Sequence, residues 1–242
     1  MEIRVLASNG VRAALEALSL EFERGNGHKL AIRFGLGADL KRRIESGEAF
    51  DLAVLAAAAV EDLEKQGRVG AGSRASIARS GSGLAIRKGA ARPDIGTVDA
   101  FKRALVSAKS ICWAKEGASG AYFAGLIERM GIAGEIMPKA TLASSGDEVG
   151  CLVAEGKCEF GVILVNEIMA APGVELLGPF PSEVQSHTEF QAAVASGSKN
   201  AAQAKILIQF LTAPSAGAVF RAKGQEPAAK PAVRGSDLSG VT

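Results

Sequence analysis

One arrangement recurs along this 242-residue chain: an apolar run, a turn containing Gly or Ser, then a segment with apolar residues at helical spacing. Its clearest instance starts at Ser110-Ile111-Cys112-Trp113 and passes through Ala114 to Gly120. It continues into Ala121, Ala124, Leu126, Ile127 and Met130, which repeat as one helix face. Four such turns stand out: Ser8-Asn9-Gly10, Gly35-Leu36-Gly37, Ala118-Ser119-Gly120 and Ser144-Ser145-Gly146. Strand, turn and helix repeated without obvious hairpins predict βαβ units and a parallel sheet, hence an α/β fold. In such sheets the turns gather at the carboxyl edge, where ligands bind. Each helix start there offers free backbone N–H groups and the positive end of a dipole. If two sheets face each other, four helix N-termini share one cleft, suited to a small anion without a metal or other cofactor.

The order of elements follows from the same patterns. Strands are expected at Glu2–Ala7, Lys29–Phe34, Asp51–Ala56, Gly83–Arg87, Ser110–Trp113, Thr141–Ala143, Phe160–Val165 and Glu189–Ala195. Helices are expected at Val11–Arg24, Asp39–Ser46, Val60–Gln66, from near Thr97 to Ser107, Ala121–Met130, Glu148–Glu155, Ala201–Leu211 and Pro214–Lys223. Residues 228–242 carry Pro, Gly and Ser without apolar period and read as a flexible tail.

Composition removes several classes of function. The net charge of +2 comes from interspersed signs, with no basic stripe for nucleic acid. Aromatic residues make up 5%, too few for stacking platforms. No apolar run reaches membrane-spanning length, so no membrane insertion is expected. His28 and His187 have no second ligand at metal spacing, and Cys112, Cys151 and Cys158 read as buried thiols. The Gly117-Ala118-Ser119-Gly120-Ala121 turn lacks the last glycine of a nucleophile elbow, and no phosphate-binding Gly-x-x-x-x-Gly-Lys loop is present. The opening residues show no leader, so the chain as written is expected in the cytoplasm, or in the periplasm if a signal peptide was removed.

Several stretches resemble the periplasmic molybdate-binding proteins, of the type 2 periplasmic-binding fold. They are Val5-Leu6-Ala7-Ser8, the run from Phe34 through Gly35-Leu36-Gly37-Ala38-Asp39 to Gly47, Phe50-Asp51-Leu52, and Leu126 to Ile132. Gly117-Ala118-Ser119-Gly120, Gly89 to Ile95 and Gly178 to Gln185 are similar to a branch that includes aconitate isomerase. The resemblance implies two lobes, each a small, mainly parallel sheet flanked by helices, with the ligand in the cleft between. Lobe 1 would be 1–81 plus 190–227 and lobe 2 would be 82–189.

It also implies ligand contacts from Ser8 and Asn9, Gly37 and Ala38, Ser119 and Gly120, and Gly146. Arg12 is added as a candidate partner for a carboxylate. Two positions depart from the molybdate pattern: the second turn lacks its hydroxyl, and Leu164 stands where the family has tyrosine. The expected function is binding of a small oxyanion or organic carboxylate by a monomer, with an ABC-transporter permease as partner if exported. The alternative is an isomerase moving a proton on a tricarboxylic acid, with Asp39, Glu116, Tyr122, Asp147 and Glu148 as candidate bases. A cytoplasmic anion sensor is a third reading.

Overall fold

In lobe 1, β1 (Glu2–Ser8) runs through one 3-10 turn into α1 (Arg12–Asn26), β2 (Lys29–Gly35) into α2 (Gly37–Glu45), and β3 (Leu52–Ala56) into α3 (Ala57–Lys65). The long β4 (Ala75–Arg87) leads to α4 (Val98–Ser107), β5 (Ile111–Ala114) and α5 (Ala118–Arg129). The short α6 (Ala133–Ile136), β6 (Ala140–Ala143), α7 (Gly146–Ala154), β7 (Phe160–Leu164), α8 (Val165–Ala170) and β8 (Val174–Pro179) follow. The chain returns through β9 (His187–Val194) to α9 (Ala201–Leu211), α10 (Pro214–Ala222) and β10 (Glu226–Pro227). This computed structural model describes residues 1–228. The tail expected over 228–242 lies outside the described residues except for Ala228, whose N–H donates to the Ile77 carbonyl at 3.0 Å.

The strand order is β2-β1-β3-β9-β4-β7-β5-β6, with β8 and β10 also paired to β4. It reads the same from either edge: second strand outermost, first in the middle, third inside, then a crossing strand. β1 pairs in parallel with β2 and β3, and β5 with β6 and β7. The ladders made by β4 and β9 are antiparallel, which corrects the expectation of βαβ units alone. Those two strands carry the chain from one lobe to the other and back. β4 starts at Ala75 instead of Gly83 because Ser76, Arg79 and Ser80 interrupt its apolar run while its backbone still pairs with β9. Residues 75–81 pair with β9, and 82–87 pair with β7 and β8. We propose this ladder change as the lobe boundary, with residues 1–81 and 187–228 in lobe 1 and 82–186 in lobe 2. β8 and α8 went unforeseen: each is six residues, too short to declare a period.

Alternation along each strand feeds helix layers on both faces of the sheet. Ile3, Val5 and Ala7 pack with Leu15, Leu18 and Phe22 of α1 and with Leu207, Leu211 and Phe220 behind them. Leu6, Ala53 and Leu55 point the other way, onto Leu40, Ile44, Val60 and Leu63. In lobe 2, Ile111 and Trp113 pack on Phe101, Leu105 and Phe123, while Cys112 and Ala114 meet Val149, Val153 and Ile168.

At the end of lobe 1 away from the turns, Asp51 is fully buried and hydrogen-bonded throughout. It accepts from the Arg4 amide at 2.9 Å, Arg4 Nε at 3.2 Å, Ser198 Oγ at 2.8 Å and Asn200 Nδ2 at 3.4 Å. Burial pushes its carboxyl up, but these donors outweigh burial and hold it down to about 2. Asp51 thereby ties β1, β3 and the segment before α9 together. Asp51→Ala should destabilise the fold by roughly 2–4 kcal/mol in urea unfolding at pH 7, since it leaves Arg4, Ser198 and Asn200 facing an empty acceptor site. Because the folded value is depressed, the carboxylate's contribution is complete above its ordinary 3.8 and is lost as pH falls through about 2. The gap between wild type and variant should therefore shrink in acid.

Candidate functional site

The carboxyl ends of the six parallel-paired strands, β1 to β3 and β5 to β7, meet in one interlobe cleft of about 330 Å³. At its wall, three helices begin on residues that cannot cap them. α2 follows Leu36, α3 follows Ala56 and α5 follows Gly117, and in none does a side chain take a first-turn N–H. The leading amides of these helices are therefore left for solvent or a ligand. Small residues allow close approach: Gly37, Ala38, Ala58, Ala59, Ala114 and Ala118 all line the cleft. Leu36, Ile163, Leu164 and Phe190 give it an apolar share.

Ser8, Asn9, Gly37, Ala38, Ser119 and Gly146 come together on this cleft from four separate turns. Ser8 Oγ accepts from the Gly10 amide at 3.3 Å, leaving its own O–H to point elsewhere. Ser119 is a buried first-turn residue of α5. Gly146 opens α7, whose cap is Ser145, accepting from the Glu148 amide at 3.1 Å. Gly120 does not line the cleft. A Cβ there would stand 2.1 Å from the Ala114 carbonyl oxygen, so this glycine lets α5 seat on the end of β5. Arg12 lies off the first cavity too, on the wall of a second chamber of about 460 Å³ between α1 and helices α7 and α8. Its Nη2 donates to Asn9 Oδ1 at 2.8 Å and its guanidinium stacks on Phe34 at 5.0 Å, while Nε is buried without a partner among the described residues. Cys151, expected to be buried, is exposed on the same chamber wall.

Most acid–base candidates named from sequence are already engaged. Asp39 and Glu116 both reach Arg42, at 3.6 and 3.2 Å, and the second pair crosses the mouth of the cleft from lobe to lobe. Glu148 accepts from the Ser144 N–H and hydroxyl at 2.7 and 2.6 Å, which lowers its pKa. Tyr122 donates to the Val184 carbonyl at 3.0 Å. Asp147 is exposed at the start of α7.

Three charged residues of the cleft escaped the sequence reading: Lys41, Asp62 and Glu167. Lys41, one turn into α2, lines the first cavity and pairs with Asp62 at 3.0 Å. Glu167 lines both chambers, which share Asn9, Gly146 and Glu167. Its Oε2 accepts from the Leu164 amide at 3.2 Å, and among the described residues no cation reaches its carboxylate within 4 Å. A Cβ on Gly146 would meet that carboxyl at 3.2 Å, so the glycine makes room for it. Burial pushes Glu167 up to about 7, against the lowering effect of the Leu164 hydrogen bond and with help from the charge of Asp147. The signal available in sequence was a Glu three residues past a strand end, but Leu164 in the cap position hides it as a capping pattern.

Comparison with known proteins gives consistent relatives. A family model described as bacterial extracellular solute-binding protein matches residues 3–226. An aconitate isomerase from a Pseudomonas species is 29% identical over 231 residues, covering 93% of this chain and 87% of that protein. A molybdate-binding protein of Azotobacter vinelandii is 25% identical over 228 residues, 92% of this chain and 89% of the relative. The solved structure of the Azotobacter vinelandii periplasmic molybdate-binding protein superposes with a TM-score of 0.77 at 20% identity, covering 92% of this chain and 98% of that one.

Two expectations follow from this geometry. Gly120→Ala should lower stability by roughly 1–3 kcal/mol in chemical unfolding, because the clash is with backbone. Glu167, whose folded value is raised from the ordinary 4.5, binds more protons in the folded than in the unfolded state between about 4.5 and about 7. Its contribution to stability therefore falls as pH rises through that window. Glu167→Gln should be the more stable form at pH 8, by roughly 1–3 kcal/mol, and equal to wild type near pH 4.

Proposed function

This chain belongs to the bacterial extracellular solute-binding protein family, and from that premise we propose that it binds a small organic carboxylate between its lobes. The observation that carries the reading is the convergence of three helix N-termini without capping side chains, α2, α3 and α5, on one cavity. Their amides suit an anion, and summed dipoles favour negative charge there. The choice of an organic carboxylate over a bare oxyanion rests on the apolar share of the wall. Leu164 brings no hydroxyl, Leu36 and Ala38 bring none at the second turn, and Ile163 and Phe190 favour carbon on the ligand. In this reading Ser8 and Ser119 add hydroxyl donors, Gly37, Ala38 and Gly146 add amides, and closure of the lobes about β4 and β9 covers the ligand. Where the protein is exported, its macromolecular partner is the permease of an ABC transporter.

A second reading has its own support. Glu167, held near neutrality beside these donors, is suited to taking and returning a proton. On an unsaturated tricarboxylate it would remove a proton from carbon next to a carboxylate. The C–H electron pair would pass into that carboxylate, stabilised by helix amides. Glu167 would then return the proton to the other end of the three-carbon unit, leaving an isomer and an unchanged enzyme.

Thermal unfolding with citrate, cis- and trans-aconitate, molybdate and sulfate separates these ligand classes. A carboxylate at a hundred times its dissociation constant should stabilise the protein by about 2.7 kcal/mol, with inorganic oxyanions giving less. Stabilisation by molybdate alone would overturn the carboxylate reading. Proton NMR of trans-aconitate with the protein in D2O tests the second: new resonances of the cis isomer support it, and an unchanged spectrum with bound ligand leaves a receptor.

A further inference from the structure

Glu167 occupies an unusual position for a carboxylate in a cleft built for anions. With Asn9 and Gly146 it forms the wall that the two chambers share, so this one carboxyl borders both. One oxygen is held by the Leu164 amide at 3.2 Å; the other has no hydrogen bond among the described residues. The side chain is only partly exposed, and Gly146 leaves it no bulk to hide behind.

The groups facing it do not neutralise it. From α7, Asp147 adds a like charge, and Glu155 lies further along the same chamber. From α1, Glu16 lines that chamber opposite, and Arg12 is turned to Asn9 and Phe34. From α2, Lys41 is taken by Asp62, and at the far turn Glu116 is taken by Arg42. An ionised ligand drawn in by the amides of α2, α3 and α5 would thus meet an uncompensated carboxylate. Two carboxylates brought into one site cannot both stay ionised without cost, and a shared proton removes the repulsion while making a strong O–H···O hydrogen bond.

We propose that Glu167 is a specificity-determining ligand contact that binds the anion as a carboxylic acid, so that each ligand enters the cleft together with one proton. The inference rests on the reading of the cleft as an organic-anion site and adds what that site selects: a ligand with an anionic oxygen free to accept from Glu167. The partial burial that raises this carboxyl toward neutrality works in the same direction before any ligand arrives.

Trans-aconitate is a suitable probe, because carboxylic acids ionise around pH 4 and it carries the same charge at every pH used. Titration calorimetry at pH 8, in two buffers of different ionisation heat, should show close to one proton taken up per ligand bound. Affinity should fall about tenfold for each unit of pH above about 7.5. Glu167→Gln keeps an acceptor for the Leu164 amide and presents a permanent donor. It should bind without proton uptake and with no slope between pH 6 and 9. Wild type that binds with no proton uptake and a flat pH profile would overturn the proposal while leaving the anion site intact. Absence of binding by trans-aconitate, citrate and cis-aconitate at pH 6 would overturn the site reading itself, and this inference with it.

Discussion

The backbone ladder of β4 is the constraint on which the rest of the molecule depends. One strand of thirteen residues spends its first half hydrogen-bonded to β9 and its second half to β7 and β8. The two parallel triplets are therefore parts of one continuous hydrogen-bond system, and neither can slide against the other without breaking pairs. The partners of β4 change over a short stretch near Gly81 and Ser82, where β9 begins at His187. Between the lobes, the Gly10 carbonyl accepts from Asn166 Nδ2 of lobe 2 at 2.7 Å, and within lobe 1 from Gln225 Nε2 at 3.1 Å. The Asn166 amide is buried, so its bond fixes the approach of the lobes more firmly than the exposed Arg42–Glu116 pair at the mouth.

Two carboxylates, Asp51 fully buried and Glu167 half-buried, sit in opposite environments. Asp51 is surrounded by donors from three segments, and its charged form is the stable one. Glu167 has one amide donor, a like charge in Asp147 and, among the described residues, no cation within 4 Å, so its environment works against its charge. A protein interior that merely needed filling would accept Gln or Met at that point. Retaining an unpaired acid in a cavity is a cost to the fold, and such costs collect at functional sites.

Much of this was legible in the sequence because period and punctuation act locally. The α1 face of Ala14, Leu15, Leu18 and Phe22, the apolar β3 and β7, and the turns that end β1, β2, β5 and β6 all declare themselves within a dozen residues. The turns of the site were found for the same reason. The missed parts depend on distant chain. Ala75–Gly81 is a strand because β9 pairs with it, not because of its own residues. Gly120 looks like one more turn glycine until the Ala114 carbonyl is seen behind it. Nothing near Glu167 in the chain announces that α1, α7 and α8 will enclose it, whereas Asp39, Glu116 and Glu148 looked more promising and turned out to be held by neighbours.

The strand order that reads alike from both edges has a consequence for how a ligand is seated. The cleft is lined by three matched pairs of turns, one from each lobe, so to a first approximation its two walls are interchangeable. An elongated molecule could then lie either way round with similar amide contacts. Handedness must come from where the mates differ. The cap and third helical residue are Ala56 and Ala59 after β3, but Leu164 and Glu167 after β7. Leu36 opens the helix after β2, and Ser145 its counterpart after β6. The two walls of the cleft thus differ by a handful of side chains set upon a nearly twofold frame.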